Sequence, residues 1–90
     1  MQYSYLVYGD PGHAWVKVPM KVLKELGIEG KITQFSYRKG DFAYLEEDQD
    51  ALTLYTALRE RGITPKFREN YSDRQSRIRN FDCYHIGRED

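Results

Sequence analysis

The chain has 90 residues with 14 basic and 14 acidic side chains and no net charge. That leaves room for one domain, near the lower size limit for an unaided core, and no global field to draw it onto DNA or an anionic membrane. An apolar fraction of 40% with eight tyrosines, four phenylalanines and a tryptophan excludes a disordered chain. One cysteine excludes an internal disulfide, no Cys/His array has zinc-finger spacing, and apolar runs of only a few residues exclude a membrane span or a signal-peptide core. The expectation is a single α+β domain over residues 1–90, cytoplasmic in a host cell, without metal or cofactor.

"QYSYLVYG" alternates with a two-residue period and is rich in β-formers, which predicts a first strand. "DPGH" supplies turn chemistry, and "AWVKV" follows with Ala14, Val16 and Val18 on one face and Trp15 and Lys17 on the other, so the two strands form a hairpin. Pro19 suits the first turn of a short helix whose stripe is Val22, Leu23 and Leu26 and whose terminator is Gly27. "KITQFSYRKGDFAYLEED" predicts two strands around a turn at Lys39, Gly40 and Asp41. Asp48 or Asp50 caps a second helix, with Leu54, Tyr55 and Leu58 at helical spacing until Gly62. "KFRENYS" and "SRIRNFDCY" predict two final strands, the last bulged, with residues 86–90 as a frayed tail.

"LKELGIEGK" from Leu23 and "LRERGITPK" from Leu58 echo one another, through either duplication or Gly-terminated helix chemistry used twice. Both halves read strand, helix, strand. Together they predict a mixed or antiparallel sheet of five to six strands with two helices on one face, ferredoxin-like (split βαβ), extended by the first and last strands.

The stretches "GHAWVKVP", "SYRKGDFAYLEEDQDA" and "DRQSRIR" resemble the pattern of a family of small uncharacterised proteins encoded on plasmids, phages and prophages, from about Gly12 to Arg79. The resemblance implies a mobile-element accessory protein and transfers no catalytic residue.

Charge is segregated along the chain. Six bases stand against two acids from Lys17 to Lys39, five acids without a base from Gly40 to Asp50, and five bases against two acids from Lys66 to Arg79. Arg74, Arg77 and Arg79 can contact phosphates while Tyr71 and Phe81 stack on bases. Alternatively Arg77 and Arg79 share the solvated side of a strand, or serve a protein interface as arginines often do. The acids Glu46, Glu47, Asp48 and Asp50 lack the glycine and glutamate positions of an EF-hand loop, and helix capping is their plainer role. Cys83 and His85 share a strand side and could pair as nucleophile and base, but no oxyanion element is recognisable and Cys83 reads instead as a small buried hydrophobe. "GDPGH" lacks the phosphate-loop pattern, so its glycines, and His13 with them, belong to a turn. Trp15 is either core or an exposed partner anchor.

Three functions follow from these residues. The first is a non-enzymatic binding protein that contacts a host or phage protein complex. With the mobile-element resemblance, it becomes an inhibitor of a host defence system, anti-CRISPR-like, acting through a surface that includes Arg38, Tyr71, Arg74, Arg77, Arg79 and Trp15. The second is a nucleic-acid-binding module that stacks bases on Tyr37, Tyr44 and Tyr71 beside Arg38, Arg74, Arg77 and Arg79, although the RNA-recognition fingerprint is absent. The third is a small ligand-binding domain or enzyme with a cleft at His13 and Glu46. Edge strands at both ends of the sheet also permit a homodimer.

Overall fold

A computed structural model describes residues 3–86. It is an α+β fold with strands β1 (Ser4–Gly9), β2 (Ala14–Pro19), β3 (Tyr37–Lys39), β4 (Phe42–Glu46), β5 (Lys66–Tyr71) and β6 (Asp82–Cys83). The helices are α1 (Met20–Glu25) and α2 (Asp50–Glu60), and 3₁₀ turns occupy Glu29–Lys31 and Arg77–Asn80. The strands form one mixed sheet in the order β5-β1-β2-β4-β3-β6, parallel only between β1 and β5. The first strand therefore does not extend the sheet at its rim as expected. It lies between β5 and β2, with Tyr5 opposite Phe67 on one side and Val7 opposite Val16 on the other.

Each face has its own core. On the helix side Tyr5, Val16, Val18, Ala43 and Leu45 of the strands meet Leu23, Leu54 and Leu58 of the helices, all buried. Truncating any of these leucines to alanine costs about 2–5 kcal/mol by area and cavity together. On the opposite side Trp15, Tyr44 and Ile78 make a second cluster, flanked by Tyr8, Tyr37 and Phe81. Trp15 is thus core at 2% exposure, withdrawn from any partner, and its cover is the Arg77–Asn80 turn and not a helix.

Both helices end alike. Gly27 and Gly62 have φ of 71° and 77°, and the amides of Ile28 and Ile63 reach back to the carbonyls of Leu23 and Leu58 at 3.0 and 2.9 Å. These are Schellman motifs with the apolar C″ residue that accompanies them. At its other end α1 starts one residue later than expected. Pro19 closes β2 in an extended conformation (ψ 139°) and serves as N-cap.

Three segments depart from the sequence reading, two of them where side-chain hydrogen bonds from serine and threonine displace the ladder. The segment before Tyr37 is a loop, since Thr33 and Ser36 spend their groups on Asp50. Arg77–Asn80 is a 3₁₀ turn capped by the Ser76 hydroxyl, which accepts from the Ile78 amide at 3.1 Å, so Arg77 and Arg79 do not share a strand face. The last strand shrinks to Asp82–Cys83 on the rim, leaving Cys83 exposed and not buried as a small hydrophobe. The expected frayed tail lies, from residue 87 onward, outside the described residues. Its first residue, Ile86, is described, and the Ile86 carbonyl accepts from Arg38.

Candidate binding surfaces

The turn between β1 and β2 is built around Asp10. Its Oδ1 accepts the amides of Gly12 and His13, both at 3.0 Å, while the Asp10 amide donates to the His13 carbonyl at 2.8 Å. The same carboxylate takes the Ser76 amide at 2.8 Å and both arms of Arg79 at 2.9 Å. The amides of "GDPGH" therefore cradle an internal carboxylate where a phosphate loop would hold an external anion. The Arg79 guanidinium first, then the Ser76, Gly12 and His13 amides, hold the Asp10 carboxyl well below the usual carboxylate range against the opposing effect of burial. Asp10 in turn raises the Arg79 pKa. Arg79 lies over the Trp15 ring at 5.1 Å, and a Cβ on Gly12 would meet its Nη2 at 2.8 Å and displace the guanidinium from its place over Asp10. Arg79 is thus a structural strut joining the far end of the chain to the first turn.

The acidic run is likewise divided. Asp50 is fully buried and accepts the Thr33 amide, the Thr33 hydroxyl at 2.7 Å and the Ser36 hydroxyl at 2.5 Å. Ser36 completes the network by accepting the Glu46 amide at 2.9 Å. The start of α2 is held by Glu46 and not by Asp48 or Asp50, since Glu46 accepts the amides of Asp48, Gln49 and Asp50. Burial pushes the Glu46 carboxyl up, but the amides of Asp50, Gln49 and Asp48 outweigh it and keep the group below its ordinary value. Only Glu47 and Asp48 of the expected acidic patch remain exposed.

Arg38 ties β3 to the end of the described chain, donating to the carbonyls of Gly40, His85 and Ile86. Because β6 ends at Cys83, His85 does not lie on the same strand as the thiol. His13 stands 3.9 Å from Glu47 and edge-on to Trp15, and it lines a cleft of about 230 Å³ with Glu47, Glu69 and Tyr71, to which Glu46 does not contribute. Among the described residues no three His, Cys, Asp or Glu side chains converge as metal ligands, and no helix is long and apolar enough to cross a membrane.

Two surfaces stand out among the described residues. One is the β5 edge, where all six residues are exposed. The amides of Lys66 and Ser72 donate inward to Tyr3 and Gly9 at 2.8 Å, so the alternation of a parallel ladder turns the backbone groups of Phe67, Glu69 and Tyr71 outward. On the helix side of this edge lies a groove of about 400 Å³, floored by Val7, Phe67 and Leu52 with Tyr55 beside them. Leu52, Phe67 and Tyr55 are exposed, and Glu47, Asp48 and Glu69 form an acidic rim. Tyr71, at 65% exposure, belongs to this edge and stands apart from Tyr37 and Tyr44.

The other surface is the face opposite the helices. The strand registers place Lys17, Lys39 and Arg68 on that side with Tyr8, Tyr37, Phe42 and Tyr44. Arg74 and Arg77 from the loop after β5 line a groove of about 480 Å³ there, together with Tyr8, Tyr44, Asn70 and Phe81. Tyr44 is buried under this loop beside Phe81 (5.0 Å between ring centres), so it is a floor and not a free stacking platform.

Sequence reasoning did not find the Asp10 and Asp50 hubs. The Asp-Pro-Gly turn signalled a local role for Asp10, but its partners Ser76 and Arg79 lie near the other end of the chain and leave no local trace. No protein-family model, no curated protein and no solved structure matches this chain.

Proposed function

We propose that this chain is a non-enzymatic binding protein that recruits a protein partner by adding a strand of that partner to the open edge of β5. The observation that carries the reading is a six-residue edge strand with every residue exposed, beside an apolar groove with an acidic rim. Main-chain groups at Phe67, Glu69 and Tyr71 supply affinity in this mode, and the side-chain groove supplies selectivity. The fitting partner presents an extended segment with apolar side chains for Phe67, Tyr55 and Leu52 and a lysine or arginine for Glu47, Asp48 and Glu69. Charged residues on the edge itself, Lys66, Arg68 and Glu69, oppose indiscriminate pairing. Coupled with the resemblance to mobile-element proteins, the reading makes a host defence complex the partner and its inhibition the role.

The test is affinity capture from host lysate after nuclease treatment, comparing the native chain with Glu69→Pro. The substitution removes one outward amide and leaves the inward ladder to β1 intact. The expected outcome is a stoichiometric protein partner whose affinity falls at least tenfold, about 1.4 kcal/mol, in the variant. A partner held equally by both forms, or none held by the native chain, removes the reading.

A further inference from the structure

From the face opposite the helices we infer a second, independent site, one that takes a phosphorylated nucleotide, either free or as a unit of a single strand. Positive charge predominates on this face, with Asp73 the one acid in the loop that carries Arg74 and Arg77. Lys17, Lys39 and Arg68 come from the strands and Arg74 and Arg77 from the loop, and among the described residues none of the five forms an ion pair. The one acid that the β4 register places here, Glu46, is occupied by the amides of Asp48, Gln49 and Asp50. The neutral total of the chain therefore conceals a cationic side.

The cations alternate with rings. Lys17 Nζ sits 4.4 Å over Phe42 and Lys39 Nζ 5.0 Å over Phe81, while Tyr8 and Phe81 are half-buried walls of the Arg74–Arg77 groove. Aromatic walls accept a planar base by stacking, and guanidinium groups at the mouth accept the phosphate in a bidentate fork. Asn70 and Gln75, which also line the groove, carry both donors and acceptors for the edge of a base. At about 480 Å³ the groove has the capacity of a small-ligand site.

The groove is also pre-organised. Asp10 grips the loop by the Ser76 amide and by Arg79, and Ile78 plugs it into the Trp15–Tyr44 cluster. The loop is held at both sides of Arg77, so binding does not have to order it first. Beyond the groove, Arg68, Lys17 and Lys39 continue the positive face across the sheet, a track that a free mononucleotide does not need and a strand does.

The experiment uses the full chain with two probes, adenosine monophosphate followed by amide chemical shifts and a fluorescent thymidine oligonucleotide followed by anisotropy across a salt series. Shifts at Tyr8, Asn70 and Ser76 are expected with the mononucleotide. Oligonucleotide binding at least a hundredfold tighter assigns the site to a strand, and comparable affinities assign it to free nucleotides. Either result supports the site. The exposed pair Arg74→Ala with Arg77→Ala should weaken binding at least tenfold with an unchanged thermal midpoint. It should also flatten the dependence of log K on log salt by roughly 1.4, the share of two single-strand phosphates. Glu69→Pro should bind both probes as the native chain does, which separates this site from strand addition at β5. The absence of shifts at those amides, or an affinity and salt slope unmoved by the double substitution, overturns the inference.

Discussion

Asp50 shows how a single residue in a suggestive context can be turned wholly inward. It sits in the run "EEDQD", yet its carboxylate is fully buried and joins the loop before β3 to the start of α2 through Thr33 and Ser36. Asp50→Ala leaves the buried Ser36 hydroxyl and the part-buried Thr33 amide and hydroxyl without their acceptor, and a polar group abandoned out of reach of water costs about 1–3 kcal/mol. The expected destabilisation is about 3 kcal/mol or more, measured by urea unfolding, whereas Asp48→Ala on the exposed side should be close to neutral. Equal effects at the two positions contradict this division. The sequence shows the acids but not which of them is consumed, because that depends on Ser36 and Thr33 folding back across a loop. Trp15 was the converse case: its alternation with Val16 placed it on the correct face, and the cover over that face came from a segment read as strand.

Among the elements, the two helix ends were the most legible. Leucine, two intervening residues, a capping residue, glycine and isoleucine specify a Schellman motif by local chemistry alone, and both copies form it. That shared ending is the structural content of the echo between the halves. Gly62→Ala places a Cβ in the left-handed region at φ 77°, where nothing lies within 4 Å to clash, so the cost is backbone strain of about 1–2 kcal/mol. Thermal or urea unfolding should show it without any loss of ligand binding. β1, β2 and β4 were equally legible from their alternation. The segments around Ser36 and Ser76 were not, since serine, threonine and asparagine offer the backbone partners that a propensity reading does not count. The interposition of β1 depended on a pairing with β5 that no neighbouring residue encodes.

At the scale of the whole molecule, zero net charge separates into a cationic aromatic face and an apolar edge rimmed by acids. The segregation was visible as runs along the chain, but its assignment to opposite sides required the register. The tyrosines that close the helix-side core add a pH limit. Burial, then Tyr3, pushes Tyr5 up to about 12, and burial, then Glu29, pushes Tyr84 up to about 12 against the opposing pull of Arg38. In the unfolded chain these phenols ionise near 10.0. The folded state therefore holds protons that the unfolded state has released, and stability declines as pH rises from about 10 towards 12. Urea midpoints across that range should fall, with the last tyrosines to ionise by ultraviolet absorbance appearing together with unfolding. A midpoint that holds constant throughout contradicts the assignment.

The parallel pairing of Ser4 to Gly9 with Lys66 to Tyr71 has a temporal consequence. During synthesis the first strand can pair with β2 as soon as the hairpin has emerged, but its other side waits for β5, which is made well after it. Contacts so distant in sequence slow folding. A nascent chain stalled before Lys66 should therefore offer a bare β1 edge to chaperones, and its release should coincide with emergence of β5.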